Sequence, residues 1–160
     1  MHIHRAPITD RKLRFALVGC GRIAQNHLDA LRQHAADAQV VAVCDTDPVA
    51  LQKAEQATQA PGFDSLTALL AGSRPDCVVL ATPSGLHPQH VIELAAAGVD
   101  VMTEKPMATR WHDGLAMVRA CDEAGVHLFV VKQNRRNPTL QLLKRAVDEG
   151  RFGRIYMVGV

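Results

Sequence analysis

Short apolar runs alternate with longer amphipathic stretches along most of the chain. The runs Phe15–Val18, Val40–Cys44 and Cys77–Ala81 are typical of buried strands. Residues Pro48–Thr58 predict a helix with proline in its first turn. Strands that alternate with helices of about ten residues or more indicate right-handed β-α-β units. The predicted fold class is therefore α/β, a doubly wound parallel sheet of the Rossmann type.

The later part of the chain continues this alternation. Ser65 is expected to cap a short helix that ends near Gly72, and Gly98 and Gly125 are expected to end two longer helices. The remaining predictions are helices over residues 22–34, 88–97, 109–124 and 137–149, and strands over residues 99–102, 126–131 and 154–160.

Composition narrows the classes of function. The 160 residues are 48% hydrophobic and carry a net charge of +2, with acidic and basic residues interspersed, which argues against a nucleic-acid or membrane partner. No apolar run reaches the ~20 residues that span a bilayer, and the first ten residues lack the apolar core of a signal peptide. The four cysteines are far apart and form no C-x-x-C pair. We expect a soluble, cytoplasmic protein with neither disulfides nor a metal site.

A glycine-rich loop, Gly19-Cys20-Gly21-Arg22-Ile23-Ala24, lies between the first predicted strand and the first predicted helix. That context is what a dinucleotide-binding G-x-G-x-x-[GA] motif requires. Gly19 permits the tight turn, and Gly21 lets a diphosphate approach the backbone closely. Main-chain N–H groups at the start of the helix, at Arg22 and Ile23, would hold the phosphates.

Asp45 ends the second predicted strand, about twenty residues after this loop. A carboxylate at that position accepts hydrogen bonds from the adenosine ribose and repels a 2′-phosphate, which favours NAD over NADP. Two alternatives stay open. Asp45 could instead cap the turn before Pro48, or the loop could bind S-adenosylmethionine, because methyltransferases place a glycine-rich loop and an acid similarly.

Two more polar loops follow predicted strands, Thr82-Pro83-Ser84-Gly85-Leu86-His87 and Thr103-Glu104-Lys105-Pro106. Together with the glycine-rich loop, in this order and spacing, they resemble the glucose-fructose oxidoreductase / inositol dehydrogenase family. The segment Lys132–Asn137 is similar to that of bacterial members that oxidise C3 of UDP-N-acetylglucosaminuronic acid in lipopolysaccharide sugar synthesis. The resemblance implies an NAD-dependent sugar dehydrogenase. A member acting on inositol or a simple aldose, and a non-catalytic NAD-binding module, remain alternatives.

The resemblance also implies which residues bind the cofactor. Thr82, Pro83 and Ser84 would line its nicotinamide half, and His87 and Glu104 would contact the nicotinamide ribose. For His87, a solvent-facing position at a helix start is an equal alternative.

Lys105 would lie next to the carbon that gives up hydride, as proton acceptor or as hydrogen-bond donor to the reacting hydroxyl. A lysine at a strand end beside a cationic nicotinamide should also lose its proton more readily than a free lysine. The alternative is an exposed ion pair with Glu104. By the same resemblance, Asn134 would contact the reactive end of the cofactor or the substrate, and Arg135 the substrate, a nucleotide-sugar.

Three segments follow from these assignments. Residues 1–11 are expected to form a disordered tail and residues 12–150 the NAD-binding Rossmann domain. Residues 151–160 would begin a second α/β domain, of which only the first strand is present. Because family members use that domain for substrate binding and oligomerisation, we expect a homo-oligomer for the full-length protein and no turnover from these 160 residues alone.

Overall fold

The computed structural model describes residues 7–159. Its elements are β1 Leu13–Val18, α1 Ala24–Gln33, β2 Ala38–Cys44, α2 Pro48–Thr58, β3 Gly62–Phe63, α3 Leu66–Gly72, β4 Cys77–Leu80, α4 His87–Ala96, β5 Asp100–Thr103, α5 Trp111–Ala124, β6 Leu128–Val130 and α6 Pro138–Asp148. Short 3-10 helices occupy Ser84–Leu86 and Gln133–Arg136. The described residues divide into two compact units between Val130 and Val131.

The strands of the first unit form one sheet in the order β3-β2-β1-β4-β5-β6, and every neighbouring pair is parallel. The chain therefore runs outward from β1 to one edge, returns, and runs from β4 to the other edge. This arrangement confirms the predicted doubly wound α/β fold. It also places a crevice beyond the carboxyl ends of β1 and β4, where ligands bind in such sheets.

Alternate residues of the central strands face opposite sides of the sheet. Ala16 and Val18 join the cluster that includes buried residues of α3, α4 and α5, whereas Leu17 joins the cluster under α1 and α2. Both strand faces are buried, which explains why the strands are almost uniformly apolar. Within the central strands, polar residues are thereby largely confined to the strand ends.

Local capping interactions set several helix ends. The side chain of Asp47 accepts the N–H of Val49 at 2.9 Å at the start of α2, where Pro48 is the first residue. Ser65 accepts the N–H of Ala68 at the start of α3, and Gly125, with φ of +66°, ends α5. The predicted starts of α2 and α3 and the predicted end of α5 are confirmed.

Other predictions need correction. The described residues 154–159 form no strand, contrary to the expected strand over 154–160, because they have no partner strand to pair with. The two-residue strand β3 was missed, since it is too short to show a period. Residues 1–6 of the predicted tail lie outside the described residues. The assignment of residues 151–160 to a second domain stays a prediction. Within residues 7–159, no helix is both long and apolar enough to cross a membrane.

An ion-pair cluster lies at the amino end of β4. Asp76 accepts hydrogen bonds from Arg11 at 2.6 Å and from the Arg14 guanidinium at 2.9 Å, and it also accepts the main-chain N–H of Arg14 at 2.8 Å. The Asp76 side chain is only 12% exposed. The hydrogen bonds from Arg11, and then those from Arg14, outweigh burial and hold the pKa of Asp76 well below its usual range.

We expect Asp76→Asn to lower the free energy of unfolding by about 2 kcal/mol at neutral pH, allowing for solvent screening of the partly exposed arginines. Because the folded-state pKa is depressed, the carboxylate stabilises the fold above its unfolded-state pKa of about 4. That contribution is lost as the pH falls below this value towards the folded-state pKa. Urea denaturation of both proteins should therefore show a gap in stability that narrows below about pH 4. A gap that does not change with pH would contradict this role of Asp76.

Candidate functional site

The glycine-rich loop packs directly on the backbone that follows β4. Gly19 has a φ of +91°, and a Cβ built at this position would lie 2.7 Å from both the carbonyl carbon and oxygen of Ala81. At Gly21, by contrast, a built Cβ has nothing within 4 Å. Gly19 is thus required by the fold, whereas Gly21 leaves the backbone open to an incoming group, as the motif predicts.

The start of α1 is free to bind an anion. Ile23, at the N-cap, makes no capping hydrogen bond through its side chain, and the first turn of α1 contains no acidic residue. Arg22 and Ile23 are both exposed. No side chain therefore caps the main-chain N–H groups at this helix start, and no acidic side chain in the first turn offsets the positive end of the helix dipole.

An open cleft of about 350 Å³ runs between α1 and α2 beside this loop. Residues Gly21, Arg22 and Gln25 line one side, and Asp47 and Lys53 line the other. The cleft places open volume next to the point at which the diphosphate is predicted to bind.

Asp45 connects the glycine-rich loop to the turn after β2. Its Oδ2 accepts the N–H of Cys20 at 2.6 Å, and its Oδ1 accepts the N–H of Asp47 at 2.8 Å. The turn-capping contact that the sequence left open is therefore present, together with a second contact to the loop. Each carboxylate oxygen keeps another lone pair, so these bonds leave acceptors for a ribose. The ribose contact stays a prediction.

The Cys20 thiol adds no charge to the loop. Burial, with a smaller effect of the nearby Asp45 carboxylate, raises the pKa of Cys20 to about 12. The side chain is therefore a neutral thiol at physiological pH. An anionic phosphate beside the loop would meet no thiolate.

The loop after β4 is held by a buried histidine. His87 is fully buried, with Nε2 2.9 Å from the carbonyl oxygen of Thr82 and Nδ1 3.1 Å from that of Pro106. The solvent-facing alternative for His87 is wrong. Because both ring nitrogens face carbonyl groups, His87 holds two neighbouring loops together. Its contact with the nicotinamide ribose stays a prediction.

The cofactor-lining residues predicted on this loop remain accessible. Thr82 and Ser84 are half-buried and Pro83 is exposed. The Thr82 hydroxyl lies 3.3 Å from Nδ1 of His90. Burial lowers the pKa of His90, so the ring favours its neutral form.

Glu104 is paired with a residue that sequence reasoning missed. Its Oε1 lies 2.9 Å from Nε2 of His27, in the first turn of α1, and its Oε2 accepts the N–H of Lys105 at 3.1 Å. The His27 and Glu104 side chains are 13% and 12% exposed. No local signal could have revealed a contact between residues 77 positions apart.

Lys105 is exposed, and within residues 7–159 its ammonium makes no hydrogen bond or ion pair. The alternative of a Glu104–Lys105 ion pair is therefore wrong, because Glu104 is engaged with His27. Lys105 stands at the carboxyl edge of the sheet with its side chain accessible.

Asn134 and Arg135 belong to the second compact unit, in the 3-10 helix Gln133–Arg136. Both side chains are exposed. The main-chain carbonyl of Arg135 accepts a hydrogen bond from Gln141 at 3.1 Å. Their predicted contacts with cofactor and substrate stay predictions.

Three comparisons with known proteins bear on this site. The chain is similar to the D-apiose dehydrogenase of Paraburkholderia graminis, at 39% identity over 91% of this chain and 39% of that protein. It is similar to the inositol 2-dehydrogenase of Rhizobium meliloti, at 32% identity over 92% of this chain and 44% of that protein. Among solved structures, the WlbA dehydrogenase from Bordetella pertussis in complex with NADH and UDP-GlcNAcA is 66% identical, with a TM-score of 0.89, over 94% of this chain and 44% of that one.

The chain thus spans about two fifths of the length of these relatives. Residues 13–132 match the family described as an oxidoreductase family with an NAD-binding Rossmann fold. This match removes the methyltransferase alternative and confirms the family predicted from the three loops. The chain belongs to the GFO_IDH_MocA oxidoreductase family, whose Rossmann fold binds NAD.

Proposed function

We propose that this chain is the NAD-binding part of a sugar dehydrogenase that oxidises C3 of a UDP-N-acetyl-hexuronic acid. The observation that supports NAD binding, the first part of this proposal, is the arrangement of groups at the carboxyl edge of the sheet. Four groups follow the neighbouring strands β2, β1, β4 and β5. They are the Asp45 carboxylate, the open backbone at Gly21, the loop that begins at Thr82 and the turn that contains Lys105. A dinucleotide lying across the crevice at β1 and β4 would meet all four.

Each part of NAD would find a matching group there. The diphosphate would lie against Gly21 and the uncapped start of α1, and the adenosine ribose would reach the acceptors of Asp45. The negative charge of Asp45 disfavours the additional phosphate of NADP. Thr82 and Glu104 would border the nicotinamide half.

Lys105 would take the proton in the redox step. Oxidation of a secondary alcohol would break the C–H bond of the ring carbon, and bound NAD would supply the acceptor for that hydrogen and its two electrons. The O–H bond would break as well, and its proton would pass to Nζ of Lys105, in its neutral amine form, while the carbonyl forms. The accessible side chain of Lys105, at the edge of the sheet where the nicotinamide would bind, supports this role.

The choice of sugar rests on likeness. The relative crystallised with UDP-GlcNAcA is 66% identical to this chain, whereas the apiose and inositol dehydrogenases are 39% and 32% identical. Arg135 would suit a diphosphate on a nucleotide-sugar, because guanidinium groups bind phosphate through two parallel hydrogen bonds. The enzyme would act in the cytoplasm, in lipopolysaccharide or O-antigen sugar synthesis, as a homo-oligomer.

Calorimetry tests the proposed cofactor, and a dehydrogenase assay tests the proposed sugar. We expect NAD to bind, and to bind at least about tenfold more tightly than NADP because of Asp45. The full-length protein should form NADH with UDP-GlcNAcA and much more slowly with myo-inositol or D-apiose. Absence of NAD binding would overturn the whole proposal. If the protein binds NAD but oxidises inositol or apiose faster than UDP-GlcNAcA, only the assigned sugar is overturned.

A further inference from the structure

The contact between His27 and Glu104 joins the helix that would hold the diphosphate to the turn that would border the nicotinamide half of NAD. His27 belongs to the first turn of α1, whose start would hold the diphosphate, and Glu104 begins the turn that carries Lys105. We propose that His27 is a positioning residue that fixes the Glu104 carboxylate towards the nicotinamide half of NAD. This inference rests on the proposed function and adds a residue to its cofactor site.

The backbone and the side chain of Glu104 are fixed by different partners. Its main-chain N–H donates to the carbonyl of Leu80 at 3.1 Å, which anchors the residue to β4. The carboxylate itself has two contacts, the His27 ring at Oε1 and the Lys105 N–H at Oε2. The contact to Lys105 is to the adjacent residue, so His27 provides the only long-range restraint on this carboxylate among the described residues 7–159.

Burial makes that restraint effective. Glu104 and His27 are both about seven-eighths shielded from water, and a carboxylate in such surroundings needs a donor. Without the imidazole, the carboxylate would lose a charge-assisted hydrogen bond and turn towards solvent. The nicotinamide ribose would then lose a fixed acceptor, while the glycine-rich loop and Asp45 would be unchanged.

Two substitutions that differ by one methylene group test this role. The amide nitrogen of glutamine can take the place of imidazole Nε2, so His27→Gln should preserve the bond to Glu104. The shorter amide in His27→Asn should not reach. Gln33→Asn, at the exposed last residue of the same helix, controls for the lower helix propensity of asparagine relative to glutamine. Each protein is titrated by calorimetry with NAD and with ADP, which lacks the nicotinamide half.

We expect His27→Asn to weaken NAD binding about tenfold and ADP binding less than about twofold. His27→Gln and Gln33→Asn should bind both ligands within about threefold of the wild type. The inference is overturned if His27→Asn binds NAD normally, if it loses NAD and ADP affinity in parallel, or if His27→Gln behaves like His27→Asn. These results differ from failure of the proposed function, in which the wild-type protein itself would not bind NAD.

Discussion

Gly19→Ala is expected to destabilise the first compact unit by about 4 kcal/mol and to abolish measurable NAD binding. The new Cβ would lie 2.7 Å from the carbonyl group of Ala81 and 2.9 Å from the main-chain nitrogen of Thr82. These are backbone atoms at the end of a central strand, so no side chain can move aside. The φ of +91° adds strain for any residue with a Cβ. Urea denaturation and NAD calorimetry measure the two effects.

Gly21→Ala is the matched control for that substitution. Its Cβ meets no atom within 4 Å, so the free energy of unfolding should change by less than about 1 kcal/mol. NAD affinity should still fall at least about tenfold, because the methyl group would occupy the path of the diphosphate. If Gly19→Ala is as stable as Gly21→Ala, the close packing of this loop on Ala81 does not govern stability.

Lys105→Met is expected to slow sugar oxidation by about a thousandfold while leaving NAD affinity within about threefold. Methionine keeps much of the aliphatic length of lysine but cannot accept the hydroxyl proton. Because the ammonium of Lys105 has no partner within residues 7–159, the substitution should also leave thermal stability unchanged. The rate is measured as NADH formation by the full-length protein with the sugar as substrate.

Lys144→Met provides the comparison for this loss of charge. Lys144 is 72% exposed and forms an ion pair with Asp148, four residues later on α6, a kind of pair that contributes little stability. Its replacement should leave turnover unchanged. Equal rates for Lys105→Met and the wild type would exclude Lys105 as the proton acceptor.

Local chemistry made part of the fold predictable. The bounds of α2 were predicted at Pro48 and Thr58, and its start follows from proline, which marks the first turn of a helix. The glycine-rich loop was equally predictable, because the strand before it and the helix after it lie within a few residues of it. Such features depend on neighbours in the chain.

Contacts between distant segments were not predictable in this way. His27 has no motif around it, and its partner lies 77 residues further along the chain. For His87, one of the two alternatives was a solvent-facing position, yet the packing of two loops buries it completely. A histidine at a helix start carries no sequence signal for two carbonyl partners contributed by separate turns.

The arginine cluster around Asp76 sits at the amino ends of the strands, whereas the proposed NAD site sits at the carboxyl ends. The dependence of stability on acid pH and the recognition of the nucleotide are therefore assigned to opposite edges of one sheet. Substitutions at residues 11, 14 and 76 could therefore change how the free energy of unfolding depends on acid pH, while the preference for NAD over NADP stays the same.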